Sequence, residues 1–142
     1  MRKLTYIGHS AFLIEKEWDG VLIDPFISGN PVAKFDYKTK RISHIIVTHA
    51  HSDHLGDAIE ISKETGAQII AVFELATYCM AKGAKATGVG IGGKLKFNWV
   101  CTAYKAPFNS TLSFSFEYAP VPKDLNQLFF LYECIKLFDI PC

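Results

Sequence analysis

The sequence predicts an α/β fold whose chemistry lies at the end of one buried strand. An unbroken apolar run with β-branched residues, from Ile45 to Val47, predicts a strand that is buried on both faces. Strand-like and helix-like segments alternate after this run, as they do in layered α/β domains. Four potential metal ligands follow the run within six residues: His49, His51, Asp53 and His54.

Three short strands are predicted before this run. Residues 3–8 and 11–15 alternate loosely between apolar and polar side chains, which is typical of half-buried strands. Asp19-Gly20 has the composition of a hairpin turn and leads into a strand at residues 21–23. The strand that delivers the ligands is expected at residues 44–48.

Two helices and a further strand are predicted after the ligands. Asp57, with Glu60 three residues later, has the form of a capping box that opens a helix, and Gly66 would end that helix. Residues 67–72 are expected to form a buried strand and residues 74–82 a second helix. This order of strand, helix, strand and helix supports the α/β class.

The glycines between residues 88 and 97 are predicted to form a loop that enters a strand. A dinucleotide-binding loop would instead follow a strand and open a helix, whereas here a helix precedes the glycines. Further strands are expected at residues 99–104 and 111–118 from their aromatic and β-branched content. Residues 125–138 have the spacing of a helix, with a buried strand as the alternative.

The charge and composition predict a single cytoplasmic domain. At 142 residues the chain is long enough for one domain with a substantial core. Its net charge of +1, without clusters of Lys and Arg, argues against a nucleic-acid partner. No apolar run of about 18 residues occurs and the start does not resemble a signal peptide, so no membrane segment is expected. The four cysteines form no Cys-x-x-Cys pair and are expected to be free thiols.

The composition changes near residue 97. All ten glycines and all five histidines lie at or before Gly93, whereas seven of the eleven phenylalanines follow it. Compact folds use glycine where a turn needs a positive φ, so residues 98–142 are expected to differ in character from residues 1–97. A frameshift or a truncated gene would produce such a change. A tail rich in Phe and Leu also favours association, so a homo-oligomer is among the expected partners.

The ligand cluster favours a metal site over a polar loop. In extended backbone alternate side chains share a face, so His49 and His51 are expected to point to the same side. Asp53 and His54 follow where the chain must turn, and they offer a second set of ligands. Imidazole and carboxylate groups suit Zn²⁺, Fe, Mn or Co.

The segment His49-Ala50-His51-Ser52-Asp53-His54 matches the His-x-His-x-Asp-His pattern of the metallo-β-lactamase superfamily. Together with Tyr6–Ile14, Leu22–Phe26, Val47-Thr48 and Leu55–Asp57, it resembles the bacterial and archaeal branch of metal-dependent hydrolases related to ascorbate-6-phosphate lactonase. The resemblance covers about residues 1–97. It implies an αββα sandwich, here incomplete at its C-terminal side.

The resemblance also implies a dinuclear metal centre. His49 and His51 would bind one ion, while Asp53 and His54 would bind the other. Zinc is the expected metal, with Mn or Fe as alternatives, and a complete family member holds up to two ions. A metal-activated hydroxide would attack a carbonyl or phosphoryl centre, while the ions stabilise the negative charge that develops.

Three residues are candidates for catalytic roles. Asp53 would orient the nucleophile through its free oxygen. His9 and Asp24 match segments that lie near the metals in the resembled branch, where they would orient a ligand or face the substrate. Their alternative roles are a surface-loop histidine and a turn-capping aspartate. His44 precedes the buried strand and is expected to be structural.

The second half of the chain lacks ligands that the resemblance implies. No histidine follows His54. Asn109 stands about where the branch carries its next histidine, and a neutral amide is a poor zinc ligand. Asp139 is a candidate for the bridging aspartate, although the residues around it match poorly. Residues from about 98 onward are therefore predicted to contribute no metal ligand and to pack less regularly.

These features predict a metal-dependent hydrolase that acts on a small molecule, such as a lactone, an ester or a phosphoester. The alternative is a truncated remnant that binds metal without turnover, because ligands are missing. A third hypothesis, a pure interaction domain, requires that no metal binds. One fold and one metal site serve many chemistries, so the substrate class stays open at this point.

Overall fold

The computed structural model describes residues 2–90, 94–97, 100–105 and 113–115. The chain divides into two compact units, Met1–Gly88 and Val89–Cys142. The prediction of one domain over residues 1–142, with a change of character at about residue 98, stays a prediction. Within the described ranges, no helix has the length and apolar character needed to cross a membrane.

A six-stranded mixed sheet carries the first part of the chain, and its strands lie side by side in chain order. They are β1 (Arg2–Gly8), β2 (Ala11–Lys16), β3 (Asp19–Ile23), β4 (Ile42–Ile46), β5 (Gln68–Val72) and β6 (Ala86–Val89). β1, β2 and β3 pair antiparallel, whereas β3, β4 and β5 pair in parallel. Two antiparallel steps make β1 run in the same direction as β3. The carboxyl ends of β1, β3, β4 and β5 therefore lie at one end of the sheet, the carboxyl end.

β4 is buried on both faces, as its apolar run predicts. Leu22, Ile45 and Ile69 pair with one another across β3, β4 and β5, and they pack into one core cluster. Ile46 and its partner Ile23 point to the other face. All five side chains are at most 1% exposed. Each contributes about 1.5–3 kcal/mol by leaving water, and together they fix the place where the ligand segment begins.

The turn between β2 and β3 lies two residues before the predicted one. Lys16 pairs with the first residue of Asp19-Gly20, so Glu17-Trp18 forms the turn. The prediction of a turn at Asp19-Gly20 was therefore wrong. That turn would have set Ile23 opposite Lys16, whereas the observed register sets Ile23 opposite Phe12. The apolar match between the strands outweighs the local Asp-Gly signal.

The helices connect the strands on the described part of the chain. They are a 3-10 helix (Tyr37–Thr39), α1 (Ser52–Leu55), α2 (Ala58–Thr65) and α3 (Phe73–Ala81). Both α2 and α3 pack against β5. α2 ends at Gly66, whose φ of 78° favours glycine, and this end was predicted. α3 ends one residue before Lys82, and Gly83 follows with a φ of 87°.

Asp57 precedes α2 but makes no side-chain cap with it. The predicted capping box with Glu60 was therefore wrong. Both carboxylate oxygens of Asp57 instead accept hydrogen bonds from Ile27 and Ser28 in the loop after β3. The parallel pairing of β3 and β4 brings this loop close. The loop offers three hydrogen-bond donors to the Asp57 carboxylate, whereas a local cap would satisfy only one amide of the helix. The contact with the loop is therefore the more favourable one.

The second unit contains a separate antiparallel sheet of three described strands. They are β7 (Lys94–Phe97), β8 (Val100–Lys105) and β9 (Ser113–Ser115). β8 and β9 fall at the strands predicted for residues 99–104 and 111–118. The predicted element at 125–138, Asn109, Asp139 and most of the predicted irregular tail lie outside the described residues.

Candidate metal centre

Three loops bring polar side chains to the carboxyl end of the sheet. His9 follows β1, Asp24 follows β3, and the 49–54 segment follows β4. Because these strands run in the same direction, their loops meet at one end of the sheet. His9 and Asp24 have positive φ angles of 56° and 42°. This conformation is uncommon for residues other than glycine, and it recurs where a fold holds functional side chains in place.

β4 ends at Ile46 rather than at the predicted residue 48, and Val47 and Thr48 connect it to the ligand segment. The amide of Val47 still donates to the carbonyl of Ile70 over 3.0 Å, so the backbone stays attached to β5. His51 is the residue before α1, and α1 carries Asp53 and the last ligand. The turn into α1 sets the second pair of predicted ligands beside the first.

The histidine rings contact one another. The ring centroids of His49 and His51 are 4.6 Å apart, and those of His49 and His54 are 3.9 Å apart. His9 joins this group, with its ring centroid 5.3 Å from that of His54. Burial lowers the pKa of His49, and the neighbouring His54 lowers it further. A lowered pKa favours neutral imidazole, which is the form that binds metal ions.

Asp24 is a buried carboxylate that orients His54. Its Oδ2 lies 2.7 Å from Nδ1 of His54, and its side chain is 0% exposed. The backbone amide of Thr48 donates to Oδ1 and the Thr48 hydroxyl donates to Oδ2, each over 2.7 Å. In the neutral form of His54, a carboxylate at Nδ1 keeps the proton on that nitrogen, so Nε2 is the atom that carries the lone pair for a metal ion.

The same contact controls the charge of His54. Burial opposes protonation of the ring, but the hydrogen bond and negative charge of Asp24 outweigh burial and raise the pKa of His54. The Oγ of Ser10 lies 3.1 Å from the same Nδ1 atom. His54 is therefore held on one side by several oxygen atoms, while its other nitrogen faces away from them.

His9 and Asp53 contact each other beside His54. Nε2 of His9 lies 2.9 Å from Oδ2 of Asp53, and the two side chains are 46% and 44% exposed. The backbone amide of Asp53 donates a hydrogen bond to its own carboxylate, and this bond lowers the pKa of Asp53 by more than desolvation raises it. The charges of His54 and His9 lower the pKa of Asp53 further. Asp53 is an ionised carboxylate at neutral pH, which suits it to a cation.

His9, Asp53 and His54 offer ligand atoms that all lie within 4.8 Å of one another. Two imidazoles and one carboxylate fit a divalent transition metal. His49 contacts His54 of this trio, and His51 contacts His49. His9, predicted to orient a ligand or face the substrate, thus lies among the candidate ligand atoms. These five residues are called the candidate metal centre below.

Two further residues, His44 and Thr48, lie close to the candidate metal centre in the sequence. His44 lies on β4, where burial lowers its pKa and Oγ of Ser43 lies 2.8 Å from its Nδ1, in keeping with the predicted structural role. Thr48 belongs to the segments that carry the family resemblance, but no role was predicted for it; its buried hydroxyl and amide hold Asp24. Its place directly before the ligand segment was a further signal. The roles of Asp53, His9 and Asp24 in catalysis stay predictions.

Comparison with known proteins shows the family. Residues 4–130 match the family model of the metallo-beta-lactamase superfamily. A protein of Heliobacterium modesticaldum named as a metal-dependent hydrolase is 52% identical over 97 residues, covering 68% of this chain and 41% of the relative. One of Desulforamulus reducens, with the same name, is 50% identical over 95 residues, covering 67% and 41%. The chain thus spans about two fifths of the length of these relatives.

Solved structures show the same fold. A metallo hydrolase from the hyperthermophilic archaeon Ignicoccus hospitalis aligns with a TM-score of 0.67 at 38% identity, covering 74% of this chain and 48% of its own. A diiron β-hydroxylase from Streptomyces venezuelae aligns with a TM-score of 0.62 at 19% identity, covering 80% and 27%, and shares the fold alone. The predicted α/β fold of metallo-β-lactamase type is confirmed. The chain belongs to the metallo-β-lactamase superfamily.

Proposed function

We propose that the chain is a metal-dependent hydrolase that acts on a small molecule with a lactone, ester or phosphoester bond. One observation carries the proposal: buried Asp24 fixes the tautomer of His54 at the point where His9, Asp53 and His49 converge. An arrangement that presents imidazole lone pairs beside an ionised carboxylate serves metal binding better than it serves stability. The names of the two relatives support the same reaction class.

The proposed ligand assignment follows the family pattern. His49 and His51 hold one ion, and Asp53 and His54 hold the other, with His9 close enough to Asp53 to join the second group. Zinc is the proposed metal, with Mn or Fe as alternatives. When bound, a divalent ion supplies Lewis acidity and lowers the pKa of a coordinated water molecule.

The protein's own groups have distinct roles in this proposal. Asp24 keeps the proton of His54 on Nδ1, and Thr48 keeps Asp24 in place through two hydrogen bonds. Asp53 supplies a negative charge that binds the cation and orients the attacking water. His9 is half exposed, so it can contact a substrate that approaches Asp53 from solvent.

Hydrolysis assays with a panel of lactones, esters and phosphoesters, with and without Zn²⁺ or Mn²⁺, test the proposal. His51→Ala is expected to abolish metal-dependent turnover. His44→Ala is the matched control, because His44 precedes the same segment on β4 but lies outside the candidate metal centre, and it is expected to retain turnover. Equal loss in both variants would contradict the assignment.

A second candidate function is metal binding without turnover. It is favoured by the absence of any histidine after His54, since the family pattern draws further ligands from later segments. Tight uptake of metal with no hydrolysis of any substrate in the panel would select it. Absence of metal uptake would select the third hypothesis, an interaction domain.

The proposal includes the setting of the protein. A cytoplasmic location is inferred because Cys79 is a buried free thiol and the cysteines show no pairing pattern. Association into a homo-oligomer is inferred from the apolar composition of the tail. Size-exclusion chromatography with light scattering measures the oligomeric state, and a strictly monomeric chain would contradict this last part.

A further inference from the structure

A hydrogen-bond network next to the candidate metal centre centres on Asp57. Oδ2 of Asp57 accepts from the backbone amides of Ile27 and Ser28 over 2.9 and 2.8 Å, and Oδ1 accepts from the Ser28 hydroxyl. The amide of Asp57 donates to the carbonyl of Pro25 over 2.9 Å. One residue at the start of α2 therefore binds four groups of the loop that follows β3, the Pro25–Ser28 loop.

The surroundings of this loop pack closely around Phe26. Gly56 lies so close that an added Cβ would be 2.4 Å from the carbonyl oxygen of Pro25. Gly29 lies beside Cε2 of the Phe26 ring, and an added Cβ would be 2.6 Å from that atom. The Asn30 side chain donates to the carbonyl of Phe26 over 3.2 Å, and Asn30 is 7% exposed. Gly56, Gly29 and the Asn30 side chain therefore all lie against Phe26 or the backbone next to it.

Phe26 extends from this loop to the candidate metal centre. Its ring meets that of His9 edge to face, with the centroids 6.0 Å apart and the planes at 82°. His9 in turn contacts Asp53 over 2.9 Å. A continuous series of contacts therefore runs from Asp57 through the Pro25–Ser28 loop and Phe26 to His9.

We propose that Asp57 is a positioning residue for His9: its carboxylate fixes the Pro25–Ser28 loop, and the fixed loop holds Phe26 against the His9 ring. His9 lies in an exposed turn, so its ring has rotamer freedom unless a neighbour restricts it. Restricting a group at the metal centre before the ion arrives strengthens binding. The inference rests on the proposed function, because it takes the candidate metal centre to be the place where the ion binds.

The variants separate this role from a general effect on folding. Asp57→Ala removes the three side-chain contacts, but it keeps the amide bond to Pro25 and the packing of Ile27 against the core. Asp57→Asn keeps one acceptor oxygen and replaces the other by a donor, which can serve the Ser28 hydroxyl. Phe26→Ala removes the ring alone. Glu60→Ala, three residues along at an exposed position, is the matched control.

The first measurement is the NMR spectrum of the histidine ring protons in the metal-free chain, with the His9 signals assigned by their loss in His9→Gln. The edge contact places His9 in the ring-current field of Phe26. Asp57→Ala is expected to move the His9 signals towards their position in Phe26→Ala, and Asp57→Asn is expected to restore them in part. Glu60→Ala should leave them unchanged. His9 signals that stay at the wild-type position in Asp57→Ala would overturn the proposal.

The second measurement is calorimetric titration of each variant with Zn²⁺. Asp57→Ala and Phe26→Ala are each expected to weaken binding about tenfold, the lower end of the range for groups that orient ligands. Because the two act in series, the double variant should bind no more weakly than the singles. Unchanged affinity in Asp57→Ala, or a double loss equal to the product, would overturn the proposal. If the wild-type chain takes up no Zn²⁺, the proposed function fails, and the His9 signals alone decide whether Asp57 positions His9.

Discussion

Replacing Asp24 by alanine is expected to reduce both the stability and the metal affinity of the chain. The Asp24 carboxylate is fully buried, and Thr48, which donates two hydrogen bonds to it, is 2% exposed. Water cannot replace the lost acceptor, so the Thr48 amide alone costs about 1–3 kcal/mol. The Thr48 hydroxyl lies 2.9 Å from Nδ1 of His49 and can turn to it. Adding the lost contact with His54 gives a total of about 3–5 kcal/mol, the range for breaking a buried pair.

Asp24→Asn separates orientation from stability. The Asn oxygen can still accept from the Thr48 amide, so the free energy of unfolding should fall by less than in Asp24→Ala. The Asn amide group donates at Nδ1 of His54, which moves the ring proton to Nε2 and removes the lone pair that a metal ion needs. Zinc affinity should therefore fall about 10–100-fold in both variants.

Urea unfolding of the metal-free chain and titration with Zn²⁺ measure the two effects. Asp36→Ala is the control, because the exposed Asp36 carboxylate accepts from the Lys38 amide over 2.9 Å and its loss should cost about 1 kcal/mol. Zinc binding by Asp24→Asn as tight as that of the wild type would refute the role of Asp24 in orienting His54. A smaller loss of stability in Asp24→Ala than in Asp36→Ala would refute the cost assigned to the buried hydrogen bonds.

Three further predictions concern pH and packing. Burial lowers the pKa of His54, but the buried carboxylate of Asp24 outweighs burial and raises it. In the metal-free chain, the pairing of His54 with Asp24 therefore stabilises the fold fully below the unfolded pKa of about 6.5. This contribution is lost as the pH rises through the raised folded pKa. Urea unfolding of wild type and His54→Gln across this window should show that falling difference, and a constant difference would contradict it. Gly56 has a φ of 44°, and a new Cβ there would lie 2.4 Å from a backbone oxygen, so Gly56→Ala should lower the free energy of unfolding by at least about 2 kcal/mol. The control is Gly90→Ala, where nothing lies within 4 Å of the new Cβ and the free energy of unfolding should change by less than about 0.5 kcal/mol. Similar effects of the two substitutions would contradict the close contact at Gly56. Ile45→Ala should lower the free energy of unfolding by about 2–5 kcal/mol in the same assay. Val32 is 67% exposed, so Val32→Ala should leave the free energy of unfolding almost unchanged. A mild effect of Ile45→Ala would place β4 outside the core.

The sequence by itself predicted the positions of β1 to β5, α2, α3 and the candidate ligand segment, but not the 3-10 helix, α1 or β6. The apolar run at Ile45 and Ile46 predicted a strand buried on both faces, and both side chains are 0% exposed. Gly66 marked the end of α2 because a helix commonly ends in a left-handed residue that glycine adopts without strain. The spacing from His49 to His54 predicted that these side chains lie together. Each of these features depends on neighbours along the chain, so local periodicity and φ preferences suffice.

Only the tertiary structure decided which distant groups complete the site. Asp24 contacts His54 thirty residues away, and Asp57 binds the Ser28 amide and hydroxyl instead of capping its own helix. The Asp19-Gly20 segment is strand rather than turn, because pairing apolar side chains across β2 and β3 outweighs a local turn signal. Such choices follow from the order and direction of the strands. The parallel pairing of β3 with β4 brings the loops after these two strands to one end of the sheet, where a buried carboxylate takes the partner that lies nearest in space.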